Sequence, residues 1–519
     1  MKKLSIYIEK ESLILLLYLI IYFLINLLFL DTFPFVHSDE PWLSGLTRNM
    51  LATGDLGTTE TFFNLYPRYP HAIKILFHLF QMPFYLLLGY NITSFRLMSL
   101  LFSIACLYSF YKILIKLQVK TTMALMITIL LSLNIQYIYT SHMARQEIVI
   151  LLFFLLAFNT YLKPFSTRLP SWLILGSIIG LSIGIHPNSF ILAVTFGCLY
   201  LYDIATKERT FKELIYLIIT VTCFALLFVA MSLSMNTTFL HDYLSYGSQL
   251  GITMTLQDKI MGIVPYYLKL FKGISGTYFI PPIQLELIVI TCLWFVAFIY
   301  GYFKKNHTFI RLALVILAIQ IAFIIVGRYN ATYVIFIFPF AYMNLAKLLD
   351  GISIAVRKGS LILLSMLTVL CIFSVIEDVK IIKTSSPNTY DQYLEKIAQY
   401  VAPSDKVLAN LNCEYYFDNG QLLDYRNLAY LDNETFEEYI RNNHIKYILY
   451  PEEMDYIYRN VNWQILYGDM IYYEDMKNYI NNNCQEVGSL TSPLYGIRIV
   501  KYMMDYDWQV TIYRTDVVE

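Results

Sequence analysis

Apolar runs dominate the first 379 residues. Stretches long enough to cross the ~30 Å hydrocarbon core of a bilayer fall at roughly 12–30, 97–115, 121–139, 147–162, 171–185, 189–204, 213–233, 284–303, 309–326, 331–346 and 359–377. Eleven membrane-spanning helices are expected. The run 71–89 (HAIKILFHLFQMPFYLLLG) is a candidate twelfth, with Lys74 and His78 four apart on one helical face. The basic residues decide its reading. Lys2/Lys3/Lys10, Lys112/Lys116/Lys120, Lys163/Arg168, Lys207/Arg209/Lys212, Lys304/Lys305/Arg311 and Lys347/Arg357/Lys358 share one side only if eleven spans are counted. The run is therefore read as an amphipathic helix in the membrane interface. The basic side is cytoplasmic by the positive-inside rule. This puts the N-terminus inside, and loops 31–96 and 234–283 and the C-terminal tail outside.

Past residue 379 the periodicity changes. Tyr390–Ala402 and Thr435–Asn443 read as helices; Lys406–Ala409, Lys446–Tyr450 and Trp508–Tyr513 read as strands. The expectation is an α-helical polytopic membrane region, 1–379, followed by a soluble extracytoplasmic α/β domain, 380–519, joined through the polar stretch Thr384–Asn388.

Composition narrows the class. Hydrophobic residues make up 57% and charged residues 15% of the 519, and mean hydropathy is +0.53. Soluble domains carry about 25% charge, so neither a soluble protein nor a disordered chain fits. Net charge is zero, but residues 1–379 hold 26 basic and 17 acidic side chains, against 12 and 21 in 380–519. No basic cluster points to nucleic acid. The seven cysteines show no metal-ligand spacing; Cys413 and Cys484, in the tail, are able to pair in an oxidising compartment.

Four polar clusters sit at the outer ends of apolar runs. The first follows span one and contains His37, Asp39 and Glu40, then Arg48. Its plainest reading is a helix start, with Ser38 or Asp39 as cap and Pro41 in the first turn. The second holds Arg145 and Glu147, which taken alone are a rim ion pair worth ~0–1 kcal/mol. The third is Gly184-Ile-His186-Pro187-Asn188, where a lone histidine near a helix break is ordinarily structural. The fourth is Gly327-Arg328-Tyr329-Asn330, where Arg328 reads as a snorkelling arginine. Their conjunction on one membrane face says more. Carboxylates deprotonate an acceptor, and cations hold a departing phosphate.

The motifs carrying this chemistry resemble those of the GT-C glycosyltransferases that use polyprenyl-phosphate sugars. Protein O-mannosyltransferases and the bacterial lipid A aminoarabinose transferase are the most similar groups. Asp39-Glu40, followed by Arg48-Asn-Met-Leu and Gly54-Asp55, resembles the family stretch after span one. The run ending Leu88-Gly89-Tyr90, then Phe95-Arg96-Leu97, resembles its interfacial helix and the arginine opening the next span. Ala144-Arg145-Gln146-Glu147 and Gly327-Arg328-Tyr329 resemble its A-R-x-[DE] and G-R-Y elements. The resemblance covers about residues 1–350. It departs at Arg68-Tyr69-Pro70-His71, where relatives have E-K-P or H-P-P; at His186, where some have Lys; and at Glu147, often Asp.

The resemblance implies a transferase moving sugar from a polyprenyl-phosphate donor to a glycan, lipid or protein acceptor on the outer face. It implies an inverting displacement with Asp39 as general base, and with Glu40 and Glu147 orienting the acceptor or sugar or tuning Asp39. Arg145 and Arg328 would bind the lipid phosphate beside Tyr329, with Arg48, Arg68, Lys74 and His186 as further substrate-binding candidates. It leaves a divalent metal as an option, for which the sequence offers few ligands, and it points to a bacterial plasma membrane. A transporter would instead favour charges at the membrane midplane and inverted repeats, and neither is seen here. An envelope-assembly scaffold would use the Tyr- and Asn-rich tail to hold a partner.

Overall fold

The computed structural model describes residues 10–162, 169–249, 254–273, 277–327, 329–355, 359–385, 389–431, 434–499 and 506–516. The chain is an integral, multi-pass helical membrane protein with a small sheet at its C-terminal end. Its helices are α1 (Lys10–Leu27), α2 (Asp39–Thr53), α3 (Ile75–Leu88), α4 (Ile92–Lys116), α5 (Thr121–Ser132), α6 (Ile135–Ser141), α7 (Glu147–Tyr161) and α8 (Ser171–Ile183), then α9 (Phe190–Ala205), α10 (Phe211–Met235), α11 (Phe239–Gln249), α12 (Leu256–Lys272), α13 (Gln284–Phe303), α14 (His307–Val326), α15 (Phe338–Ala355) and α16 (Gly359–Ser385). Among the described residues seven segments are long and apolar enough to cross a bilayer, eight if the pair α5–α6, bent by 67°, is one span. The helices α1, α3, α7 and α8 are apolar but shorter, so length alone does not fix the number of spans.

Helix ends are set by short polar side chains. Asn91 accepts from Ser94 N to start α4, and Asn306 accepts from Thr308 N to start α14. Thr210 and Glu213 form a capping box on α10. Basic loops gather at one end. Asp203, at the end of α9, receives Arg209 and Arg311, both at 2.9 Å. Lys347 Nζ, on α15, donates to Leu117 O at 2.8 Å.

The segment 71–89 contains α3, and both ends of α3 touch the opposite rim. Leu76 N donates to Gly184 O at 2.8 Å. At the other end Tyr85 packs with Tyr90, and Tyr90 with Tyr415 of the tail. The amphipathic α12 packs near that rim too, its Tyr267 hydroxyl donating to Gln320 of α14 at 2.8 Å. It leaves Leu256, Met261 and Val264 exposed.

The tail folds as α17 (Tyr390–Ala398), β1 (Val407–Ala409), β2 (Leu422–Asp424), α18 (Phe436–Asn442), β3 (Tyr447–Pro451), α19 (Glu453–Arg459), α20 (Tyr473–Asn483), β4 (Cys484–Ser492) and β5 (Trp508–Thr515). The sheet order is β2-β1-β3-β5-β4; β1 is parallel to β2 and β3, and β5 is antiparallel to β3 and β4. Side chains alternate across it. Val407, Ala409 and Leu449 face one core and Leu408 and Ile448 the other. The first core also contains Phe35, Phe62, Phe95 and Ala144 from the membrane region, so the tail is docked through a shared interior. Cys413 lies in that core, Cys484 packs against the other, and both are free thiols.

Candidate active site

A cavity of about 330 Å3 opens at the rim where α2, α7 and α8 meet the loop before α13. Asp39, Arg68, Lys74, Arg145, His186 and Tyr329 line it, together with Trp42, Gln146, Tyr278, Asn330 and Tyr333. Six of the sequence candidates thus share one space.

Asp39 is the first residue of α2, and its carboxylate does not cap the helix. Ser38 makes no side-chain cap either. The donors at this turn are met otherwise: Asp39 N donates to His37 Nδ1 at 3.0 Å, and His37 N to Glu40 Oε1 at 3.1 Å. The Asp39 carboxylate is left to face the cavity. Arg145 Nη1 donates to its Oδ2 at 2.8 Å, and the Tyr278 hydroxyl donates to the same oxygen. Burial favours the neutral acid, but Arg145, His37 and the Tyr278 hydroxyl outweigh it and hold Asp39 well below the usual carboxylate range. His37 stacks on Tyr278 with ring centroids 3.9 Å apart. Burial lowers His37 to about 4, in keeping with an Nδ1 that accepts a hydrogen bond.

Glu147 Oε1 takes Arg145 Nη2 at 3.0 Å and Thr332 Oγ1 at 3.1 Å. It is buried behind Arg145 and does not line the cavity. Glu40 lies deeper. It is fully buried, and Arg96 Nε and Nη2 donate to its two oxygens at 2.9 and 2.8 Å. Ala144 N donates to Glu40 Oε2 at 2.8 Å. The other Arg96 nitrogen, Nη1, donates to the carbonyls of Leu30 and Pro34. Glu40 therefore ties the end of α1, the start of α2, α4 and the residue before Arg145 into one knot. Neither Glu40 nor Glu147 lines the cavity; of the two expected roles, orienting the acceptor or sugar and tuning Asp39, their contacts with Arg145 and Ala144 accord with the second.

Arg48 does not line the cavity. It faces the tail, with Nη2 3.2 Å from Glu414 and Nη1 donating to Phe417 O at 3.0 Å. It joins the helical region to the tail. Arg68 reaches the cavity as a bidentate partner of Glu60, at 2.8 and 2.7 Å. Trp42 Nε1 donates to the same carboxylate at 2.6 Å. His186 Nδ1 accepts from Asn188 N at 3.1 Å, which leaves Nε2 as the protonated nitrogen. The Tyr329 hydroxyl donates to Lys259 O, which fixes it between the cavity and α12. Arg328 lies outside the described residues. Tyr278, Tyr333, Trp42 and Glu60 escaped the sequence reading. Only Trp42, beside the acidic pair, gave any signal there.

One oxygen of each of Asp39 and Glu147 is bound by Arg145, and no group of three or more His, Cys, Asp or Glu among the described residues is placed to hold a metal.

The helical bundle, the tail sheet and a rim cavity together define a polytopic membrane protein of the GT-C fold. The solved structures it resembles include those of two proteins. ArnT from Cupriavidus metallidurans in the apo state matches with a TM-score of 0.60 over 97% of this chain and 98% of that chain, at 11% identity. The same protein bound to undecaprenyl phosphate matches at 0.57 over 84% and 95%, at 11% identity. The archaeal oligosaccharyltransferase AglB from Archaeoglobus fulgidus, in complex with an inhibitory peptide and a dolichol-phosphate, matches at 0.54 over 91% and 72%, at 13% identity. No protein-family model and no curated protein sequence matches the chain.

Proposed function

We propose that the chain is a membrane glycosyltransferase that moves a sugar from a polyprenyl-phosphate donor to an acceptor at the outer membrane face. The observation that carries this reading is the cavity itself. An ionised carboxylate, Asp39, shares it with Arg68, Lys74 and Arg145 at the edge of the helical bundle. Two solved proteins of the same fold were captured with undecaprenyl phosphate and dolichol-phosphate. A lipid phosphate needs cations beside an apolar surface, and this site supplies both.

In the proposed reaction the acceptor oxygen attacks the anomeric carbon opposite the phosphate. The carbon–oxygen bond to phosphate breaks, the acceptor proton passes to Asp39, and polyprenyl phosphate leaves with the electron pair. The sugar is inverted. A carboxylate clamped by Arg145 is a weak base, because its pKa is far below the working pH. When donor phosphate takes Arg145, Asp39 loses its strongest cation and its basicity rises. Base activation is thereby tied to donor binding. Arg328, in the adjoining Gly327-Arg328-Tyr329 segment, is proposed as a second phosphate ligand. The basic loops at the far end of the bundle support a cytoplasmic N-terminus and an extracytoplasmic tail; a bacterial plasma membrane is proposed on the family resemblance alone.

The test is the lipid retained by the Asp39→Asn protein on purification. Mass spectrometry is expected to find a polyprenyl-phosphate-linked sugar, enriched over wild type. Recovery of bulk phospholipid alone, with no lipid-linked sugar, contradicts the proposal.

A further inference from the structure

A second cavity, of about 530 Å3, opens against the C-terminal domain and shares Trp42 with the first. Trp42, Tyr66 and Tyr430 give it aromatic surface; Arg426, Gln464 and Asp469 give it polar groups. Tyr66 meets Trp42 and Tyr430 edge-on, with centroids 6.4 and 5.5 Å apart. Arg426 is the unusual member. Its guanidinium lies 4.5 Å from the Trp42 ring centroid and is mostly buried. Its side chain donates no hydrogen bond among the described residues. The neighbouring carboxylate, Asp424, is 3.7 Å away and already taken. Arg498 Nη2 binds both Asp424 oxygens at 2.7 Å, and Leu411 N and Arg426 N donate to them as well. Two guanidinium groups thus face one carboxylate, and Arg426 keeps its side-chain donors for something else.

A ring-shaped polyhydroxyl molecule packs its C–H face on aromatic side chains, and a guanidinium pairs with carboxylate or phosphate in a planar fork. We propose that this second cavity is the acceptor subsite and takes an anionic carbohydrate, its carboxylate or phosphate on Arg426 and its ring against Trp42, Tyr66 and Tyr430. Trp42 is the common wall, so an acceptor anchored beyond it presents its hydroxyl toward Asp39. The donor phosphate belongs to the first cavity, beside the helices. The word acceptor rests on the transferase reading; the binding does not, and is measured without turnover.

The experiment is equilibrium binding to the full chain in nanodiscs. The probes are hyaluronan tetrasaccharide for carboxylate, glucose 6-phosphate for phosphate, maltotetraose as the neutral sugar and inorganic phosphate as the bare anion. At least one anionic sugar is expected to bind about tenfold or more tighter than maltotetraose and than inorganic phosphate. Arg426→Gln is expected to weaken that probe about tenfold. Asp469→Asn, which removes a like charge from an exposed side chain, is expected to tighten it about threefold, a gain that misfolding cannot mimic. Undecaprenyl phosphate, bound to the same nanodiscs, is expected to be indifferent to both substitutions. Equal binding of the neutral sugar or of inorganic phosphate, no anionic binding, or unchanged affinity in both variants overturns the inference. Failure of the wild-type chain to bind undecaprenyl phosphate counts against the transferase reading instead.

Discussion

Arg145 is the residue on which the site turns, because its two terminal nitrogens hold Asp39 on one side and Glu147 on the other. Its orientation is inherited from Glu40, which grips Ala144 N and Arg96 at once. Removing one partner of a buried, hydrogen-bonded ion pair costs about 3–5 kcal/mol, since the other charge is stranded. Glu40→Gln is therefore expected to lower unfolding stability by roughly that amount and to lower activity with it; a thermal melt unchanged from wild type contradicts the positioning role. The sequence displayed Asp39, Arg145 and Lys74 because charge beside long apolar runs is conspicuous. It hid Tyr278, one of 45 tyrosines, in a loop with no motif. It did not show which of the three carboxylates turns away from the cavity, because adjacency in the chain does not reveal which side chain points inward.

At the scale of elements, the same physics separates what was legible from what was not. The strands β3 and β5 announced themselves as KYILY and WQVTIY, apolar and β-branched, because they sit inside the sheet. The two strands that escaped notice, β2 and β4, are its edges. The strand β2 has three residues, and β4 is CQEVGSLTS, largely polar where one side has no neighbour. Helix α3 is expected at the membrane interface only from the charges of distant loops. Its anchor is a close approach at Gly184, where an added Cβ would fall 2.3 Å from the Phe228 ring and 2.9 Å from Leu76. Gly184→Val is expected to push α3 and α10 off the end of α8, costing about 1–3 kcal/mol by overpacking and, on the proposed function, raising KM through the cavity-lining His186 two residues on. Wild-type melting temperature and wild-type KM in that variant would show that the approach is slack.

The whole molecule is one interior divided between lipid-facing helices and a soluble sheet. Arg48 and Glu414 meet at that junction. Burial raises Glu414 from 4.5 to about 8, with Arg48 and Lys406 drawing it back only part of the way. An acid raised on folding binds its proton more tightly in the native state. Docking is therefore strongest below pH 4.5 and loses this contribution as pH rises through about 8. Hydrogen exchange of residues 62–66, which the tail's Asn427 holds through three backbone N–H groups, is expected to quicken from pH 5 to pH 9 beyond the intrinsic rate. Glu414→Gln is expected to remove that excess, and an excess that survives the substitution assigns it to another group. The global class was readable from hydropathy and from four rim motifs. The docked tail was not, because the aromatic core that joins it to Phe35, Phe62 and Phe95 is spread over distant segments. The central claim, that Asp39 activates an acceptor beside a cationic phosphate site, is tested most directly by comparing the wild-type and Asp39→Asn proteins in nanodiscs for both undecaprenyl phosphate binding and sugar transfer from their co-purified lipid-linked donor. The account predicts binding retained in the variant and transfer reduced about 10²–10⁴-fold; transfer at the wild-type rate, or absence of polyprenyl phosphate binding in both proteins, would contradict it.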